Sequence, residues 1–324
     1  MSKKFNIAPQ QRTGSSCLRR VFLANSDVRS GMISIYKKRW RTIGFTAILT
    51  GALTLAGCAG GGGARPGPMP QAGEAAAVPV GPNPQVLLLG EVHDNAQGHR
   101  LRYDLLRQRV EGGWRPAIVM EQFDREDQDL LNKAQKGCLD AQCVIRVVNG
   151  ARWDWQLYYP VIQLALTYHL PLVAGNLSRA DASRVVRDGV TATFDPQSVK
   201  DYRLDQPLPA DVRAAQQKEI AIGHCNMTPE MMIEGMVNAQ VARDIWMAKI
   251  VRDQRPRDVV LIAGNGHVRK DIGVARWLNQ IEPILAVRSE GFVEGGNKDG
   301  NLYDVAHQLK PQQRTDPCAK FKTK

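Results

Sequence analysis

No Cys-x-x-Cys pair occurs in the 324 residues, although the chain has six cysteines. That absence argues against a structural zinc site or a thioredoxin-type redox centre. No internal repeat recurs either, which argues against solenoid and propeller architectures. A cationic surplus is missing where a polyanion would need it. The net charge is +11, but residues 1–57 hold ten Lys and Arg against one acid, Asp27. The rest of the chain is left near neutrality, with no electrostatic footprint for nucleic acid. An apolar run does occur, from Ile43 to Ala56, but it is short for a permanent membrane span.

What that run does resemble is a secretory signal. From Met32 the chain reads as a fresh start, with four basic residues between Lys37 and Arg41 ahead of the apolar stretch. The stretch closes on Leu55-Ala56-Gly57-Cys58, which resembles the lipobox of bacterial lipoproteins, with the Cys58 thiol as the lipidation site. Several acyl chains on one residue, at about 0.8 kcal/mol per buried CH2, hold a protein firmly at a membrane. Ala59, in place of Asp, favours sorting to the outer membrane in a Gram-negative cell. Residues 1–31 have no place in this signal, so Met32 is the expected true start. Residues 58–84, rich in Gly, Pro and Ala, read as a flexible tether. Export would also permit disulfides among Cys138, Cys143, Cys225 and Cys318. Four cysteines allow three pairings; Cys138–Cys143 is the local one, and free thiols are the alternative.

From residue 85 to about 310 short apolar runs alternate with longer helix-like stretches. Strands are predicted at 86–90, 117–121, 172–175, 259–264 and 284–288. Helices are predicted near 96–111, 124–136, 154–169, 228–253 and 268–280, with Thr228 as a cap and Pro229 at the first helical position. Solid apolar strands alternating with helices predict an α/β fold, a mainly parallel sheet covered on both faces. The span 180–225 has weaker periodicity and reads as a helical insertion. His307 and the tail 311–324 read as peripheral.

In such sheets ligands sit beyond the carboxyl ends of the strands. Three of the predicted strands end in chemistry-bearing residues: Gly90-Glu91-Val92-His93, Glu121, and Gly264-Asn265-Gly266-His267. Two imidazoles with nearby carboxylates can bind a metal, move protons or orient each other. Asn176, Arg179 and Asn265 are placed to line the same rim, and Arg179 can meet a carboxylate bidentately. Asp94 and His99 read either as supporting groups or as the cap and surface of the first helix. Arg243 and Asp244 read as ordinary ion pairs on the solvated face of the long helix, and His224-Cys225 as a loop without a site.

The paired GEVH and GNGH turns, together with the VMEQFDR and WDWQLYYP segments, resemble the ChaN-like family of the Tiki and erythromycin-esterase-like superfamily. The resemblance spans roughly residues 85–290. It implies an envelope lipoprotein that binds haem in iron uptake, with iron held by a tyrosine helped by a histidine. The family's W-x-x-x-x-Y pattern points to Tyr158 rather than Tyr159. On that reading Trp155 and a tyrosine give a flat wall for the porphyrin, His93 and His267 assist, and Arg179 meets a propionate. The partners implied are an outer-membrane haem receptor and a second copy of the chain covering the haem. The alternative is a hydrolase, an esterase or peptidase. There a divalent metal sits on His93, His267 and Glu121, with Glu91 or Glu121 as base.

Overall fold

The structure, a computed structural model, describes residues 81–148, 152–295, 301–316 and 318–319. The signal, Met32, Cys58 and nearly all of the tether lie outside the described residues.

Six strands make one sheet: β1 (Val86–Leu89), β2 (Ala117–Asp124), β3 (Leu172–Asn176), β4 (Val259–Ile262), β5 (Val287–Glu294) and β6 (Val305–Leu309). Their order is β3-β2-β4-β1-β5-β6, and every neighbouring pair is parallel. The helices are α1 (Ala96–Glu111), α2 (Gln128–Gly137), α3 (Ala141–Val148), α4 (Trp155–Thr167), α5 (Arg179–Asp188), α6 (Pro196–Asp201), α7 (Ala210–Gly223), α8 (Glu230–Asp253), α9 (Asn265–Val268) and α10 (Val274–Leu278). The expected α/β fold is what forms.

The sheet is buried on both faces because its two innermost strands, β1 and β4, are apolar at every position. Leu87 and Leu89 of β1 join a core with Leu106 of α1, Leu131 of α2 and Ile162 of α4. Val86 and Leu88 point the other way, toward Val241 and Ile245 of α8 and Trp277 of α10. Strand residues alternate in face, so a solid VLLL run can serve two cores at once. Truncating one of these fully buried leucines to alanine costs about 2–5 kcal/mol.

Several boundaries differ from expectation for identifiable reasons. β5 starts three residues later than predicted and runs through Ser289 and Glu290, which are buried and satisfied. Glu290 accepts from Arg288 at 2.7 Å and pairs with His307 at 2.8 Å, and Ser289 donates to the Val268 carbonyl. That His307 contact places the supposedly peripheral histidine on β6, a strand the sequence pattern did not reveal. The predicted helix 268–280 is split into α9 and α10 about Gly273, where a Cβ would lie 2.3 Å from the His267 carbonyl oxygen. Pro229, not Thr228, stands at the start of α8, and no side chain caps that end. The insertion is helical, as α5 to α7.

Among the described residues two disulfides form, Cys138–Cys143 and Cys225–Cys318. The second ties the α7–α8 turn to the tail, so Cys225 is not an idle loop residue and the tail is fastened. Arg314 fastens it again by pairing with Asp94 and Glu294, both at 2.6 Å. Among the described residues no helix is long and apolar enough to cross a membrane.

Candidate functional site

The strand order makes the site. β2, β4 and β1 are neighbours, so Glu121, just past the last β2 residue paired with β4, lies beside Gly264 and Glu91, where β4 and β1 have ended, along one continuous stretch of rim. The two Gly-x-x-His turns then pack against each other. A Cβ on Gly90 would stand 2.2 Å from Asn265 Oδ1, and one on Gly264 would stand 3.0 Å from His93 Nε2. Neither glycine has a positive φ. Each is needed because the opposite turn occupies the space of its missing side chain.

Glu91 sits buried at the centre of the first half. Its Oε1 accepts from Tyr158 OH at 2.5 Å and Gln122 Nε2 at 3.1 Å, and His93 Nδ1 lies 2.7 Å away. The buried Arg102 guanidinium pairs with Oε2. Arg102 also reaches His99 Nδ1 at 3.0 Å, and His99 Nε2 lies 2.9 Å from the His93 carbonyl. An arginine can only donate, so His99 accepts at Nδ1 and donates at Nε2 to that carbonyl. Burial lowers the His99 pKa, which keeps this tautomer neutral. His99 is therefore a buried strut and not a surface group.

His93 is the exposed member, with 44% of its side chain open to solvent. With Nδ1 held by Glu91, Nε2 packs beside Gly264 and makes no hydrogen bond among the described residues. Trp153 stands edge-on beside it, ring centres 5.0 Å apart. A carboxylate behind an imidazole fixes its tautomer and raises its basicity as a ligand.

The second half is buried. His267 Nδ1 lies 2.6 Å from Asp244 Oδ1 on α8, its Nε2 lies 3.2 Å from Gln240 Nε2, and Glu121 Oε1 is 3.6 Å away. Glu121 Oε2 accepts from the Gly264 N–H at 2.7 Å. Burial opposes charge on His267, but Glu121 and Asp244 outweigh it and raise its pKa. Burial pushes Asp244 up to about 6. Glu121 is desolvated too, yet His267 and His93 hold its pKa below the usual carboxylate value.

The other expected residues are dispersed. Tyr158 is fully buried, and burial raises its pKa, so its hydroxyl is a donor into Glu91 and not an open phenolate. Tyr159 packs half-buried against the core. Trp155 stacks on Phe123, ring centres 5.4 Å apart, so Trp153 and not Trp155 flanks His93. Asn265 is consumed by the Phe292 backbone, accepting from its N–H at 3.0 Å and donating to its carbonyl at 2.6 Å. Asn176 is buried and donates to Asp124 at 3.1 Å. Arg179 is exposed at the first turn of α5. Among the described residues no three His, Cys, Asp or Glu side chains gather as a metal site.

Asp244, Arg102 and Gln122 are site residues that sequence reasoning missed. Asp244 was assigned to a solvated face, yet it has no exposure. Its spacing held the clue. Val237, Val241, Asp244, Ala248 and Val251 form one stripe of α8, and an acid on an apolar stripe faces inward.

The fold and rim together define an α/β protein whose site consists of two carboxylate–histidine pairs on adjoining strand ends. Residues 82–278 match the family described as haem-binding uptake, Tiki superfamily, ChaN, and the chain belongs to that family. A structure of ChaN from Campylobacter jejuni with cofacially bound haem is similar in fold. Its TM-score is 0.57 at 20% identity, over 68% of this chain and 86% of that one. An erythromycin esterase, EreC, in its open conformation aligns at 17% identity and TM-score 0.39, over 68% of this chain and 74% of that one. A search of curated protein sequences gives no match.

Proposed function

We propose that this protein is an envelope lipoprotein that binds haem at the β1–β4 rim and serves iron uptake, with His93 as the iron ligand. The observation that carries the reading is the contrast between the two candidate donors. The His93 side chain is 44% exposed and its Nε2 makes no hydrogen bond among the described residues, whereas Tyr158 has no exposure and gives its hydroxyl to Glu91. The residues fit a haem: an oriented imidazole, a carboxylate behind it and an indole beside it. Bound there, haem would be the cargo whose iron is carried.

Each of the chain's own groups has a task on this reading. Glu91 holds the His93 ring and its Nδ1 proton, Tyr158 and Gln122 hold Glu91, and Arg102 balances its charge. Trp153 gives an apolar flank. A second copy covering an exposed haem, and transfer from an outer-membrane receptor, belong to the same proposal. Export is supported by the two disulfides, which persist in oxidising compartments. Palmitate labelling of the expressed chain, lost on Cys58→Ala, tests the anchor.

The test of haem binding is a titration of the full chain in detergent, followed by its Soret band. Saturation at one haem per chain, lost in His93→Ala and kept in Tyr158→Phe, supports the reading. Loss in Tyr158→Phe alone transfers the ligand role to the tyrosine. A linear, unsaturated response rejects haem binding.

A hydrolase remains the second reading, because haem ligation through His93 leaves the buried Asp244–His267–Glu121 chain unused. It would work by acid–base chemistry with His267 as the proton carrier. Hydrolysis of p-nitrophenyl acetate abolished by His267→Ala would favour it.

A further inference from the structure

Beside the two histidine pairs, α8 presents a third group to the rim. Gln240 and Asp244 both reach His267, at 3.2 and 2.6 Å. Arg243 lies three residues from Gln240 and next to Asp244, so it leaves the helix on the same side. It is half-buried. It makes no hydrogen bond and no ion pair among the described residues.

That isolation is unusual for this rim, where every nearby carboxylate is already committed. Asp124 is held by Arg152 at 2.6 Å and by Asn176 at 3.1 Å. Asp244 belongs to His267, and Glu121 accepts from the Gly264 N–H. The neighbouring Arg125 is satisfied by Asp181 at 2.7 Å and lies over the Trp246 ring at 4.9 Å. Arg243 feels Glu121, Asp244 and Asp124 only at longer range, while burial lowers its pKa and so opposes its charge. A half-buried guanidinium without a partner is costly, and a planar fork of donors matches a carboxylate.

We propose that Arg243, set on α8 near His267 and Glu121 with no hydrogen bond or ion pair among the described residues, is the anchor for a carboxylate of the ligand, which for haem is a propionate. This rests on the haem reading above and adds the orientation of the porphyrin to it. Arg179, expected in this role, stands exposed at the start of α5. The anchored carboxylate supplies the anion that the rim itself does not spare.

The experiment compares haem with haem dimethyl ester, which has the same ring and iron but no free carboxylates, on the full chain in detergent. A charge-assisted hydrogen bond of this kind corresponds to about a 10- to 100-fold difference in Kd. The native chain is expected to bind haem tighter than the ester by that factor. Arg243→Gln is expected to weaken haem to the level of the ester, with the ester's own Kd and the Soret maximum unchanged. The native comparison needs no variant, so a misfolded Arg243→Gln does not remove the test. If the native chain binds both ligands equally, or if a folded Arg243→Gln keeps the gap, the anchor is rejected while haem binding stands. If neither ligand gives a saturable Soret change, the haem reading and the anchor fall together.

Discussion

Tyr158→Phe separates a structural tyrosine from an iron ligand, and the structure sets the size of the effect. The substitution removes one hydroxyl, buried and 2.5 Å from Glu91 Oε1, and leaves the ring packed edge-on against His99 and Trp153. A hydrogen bond to a charged group contributes about 1.5–3 kcal/mol. Glu91 keeps Arg102, His93 and Gln122 as partners, which argues for the lower part of that range. For a domain of this size, about 2–4 °C of Tm per kcal/mol turns the lower part of the range into a fall of about 3–8 °C. Urea unfolding followed by circular dichroism measures the loss, and the ferric Soret spectrum of the same sample measures ligation. The variant is expected to be less stable yet to bind haem with an unchanged spectrum. Unchanged stability together with an altered or lost Soret band would refute the structural assignment and make Tyr158 the ligand.

Gly264→Ala would place a methyl 3.0 Å from His93 Nε2. Overpacking of that kind costs about 1–3 kcal/mol, and the displaced ring is expected to lower haem affinity more than tenfold in the same titration. Cys225→Ser opens a disulfide that bridges residues 93 apart. The chain-entropy relation gives a loss of about 4–5 kcal/mol, read as a lower urea midpoint in the absence of reductant, where Cys138–Cys143 stays closed. The Asp244–His267 pair gives a pH dependence of stated sign. His267 has a folded pKa raised above 6.5. Its contribution to stability is therefore complete below about pH 6.5 and fades as pH rises through the folded value. Histidine NMR titration should show that raised pKa, and Asp244→Asn should bring it down.

The ends of β1 and β4 were nearly legible because strand apolarity and terminal glycines are local features, whereas β2 runs through Asp124, three residues past its expected end. Val86–Leu89 is apolar at every position, and the break at Gly90 marks where it stops. What was not legible depends on partners far along the chain. β5 carries Ser289 and Glu290 inward, which reads as a surface until Arg109, His307 and Asp304 are brought to them. β6 is visible only as the partner of β5. The same holds for Arg102, whose charge suggests a solvated helix face and whose structure gives it Glu91, eleven residues earlier and on another element.

The site shows the same division more sharply. Glu91, His93 and His267 follow strand ends and Glu121 lies where β2 outruns β4, at the rim to which the rule for open parallel sheets directs attention. The residues that assign them different tasks, Asp244 and Arg243 on α8 and Tyr158 on α4, lie within helices, where polar side chains usually face water. Two histidines in nearly the same sequence setting are thereby made unlike. One is exposed with its carboxylate behind it and its Nε2 without a hydrogen bond among the described residues, suited to a ligand; the other is buried between two carboxylates, suited to holding a proton. The repeated Gly-x-x-His motif suggests a symmetric pair, and the helices break that symmetry. Exchanging their environments is a direct check: Asp244→Asn should leave His93 and the haem spectrum untouched, whereas Glu91→Gln should loosen His93 and alter the spectrum while His267 keeps its raised pKa.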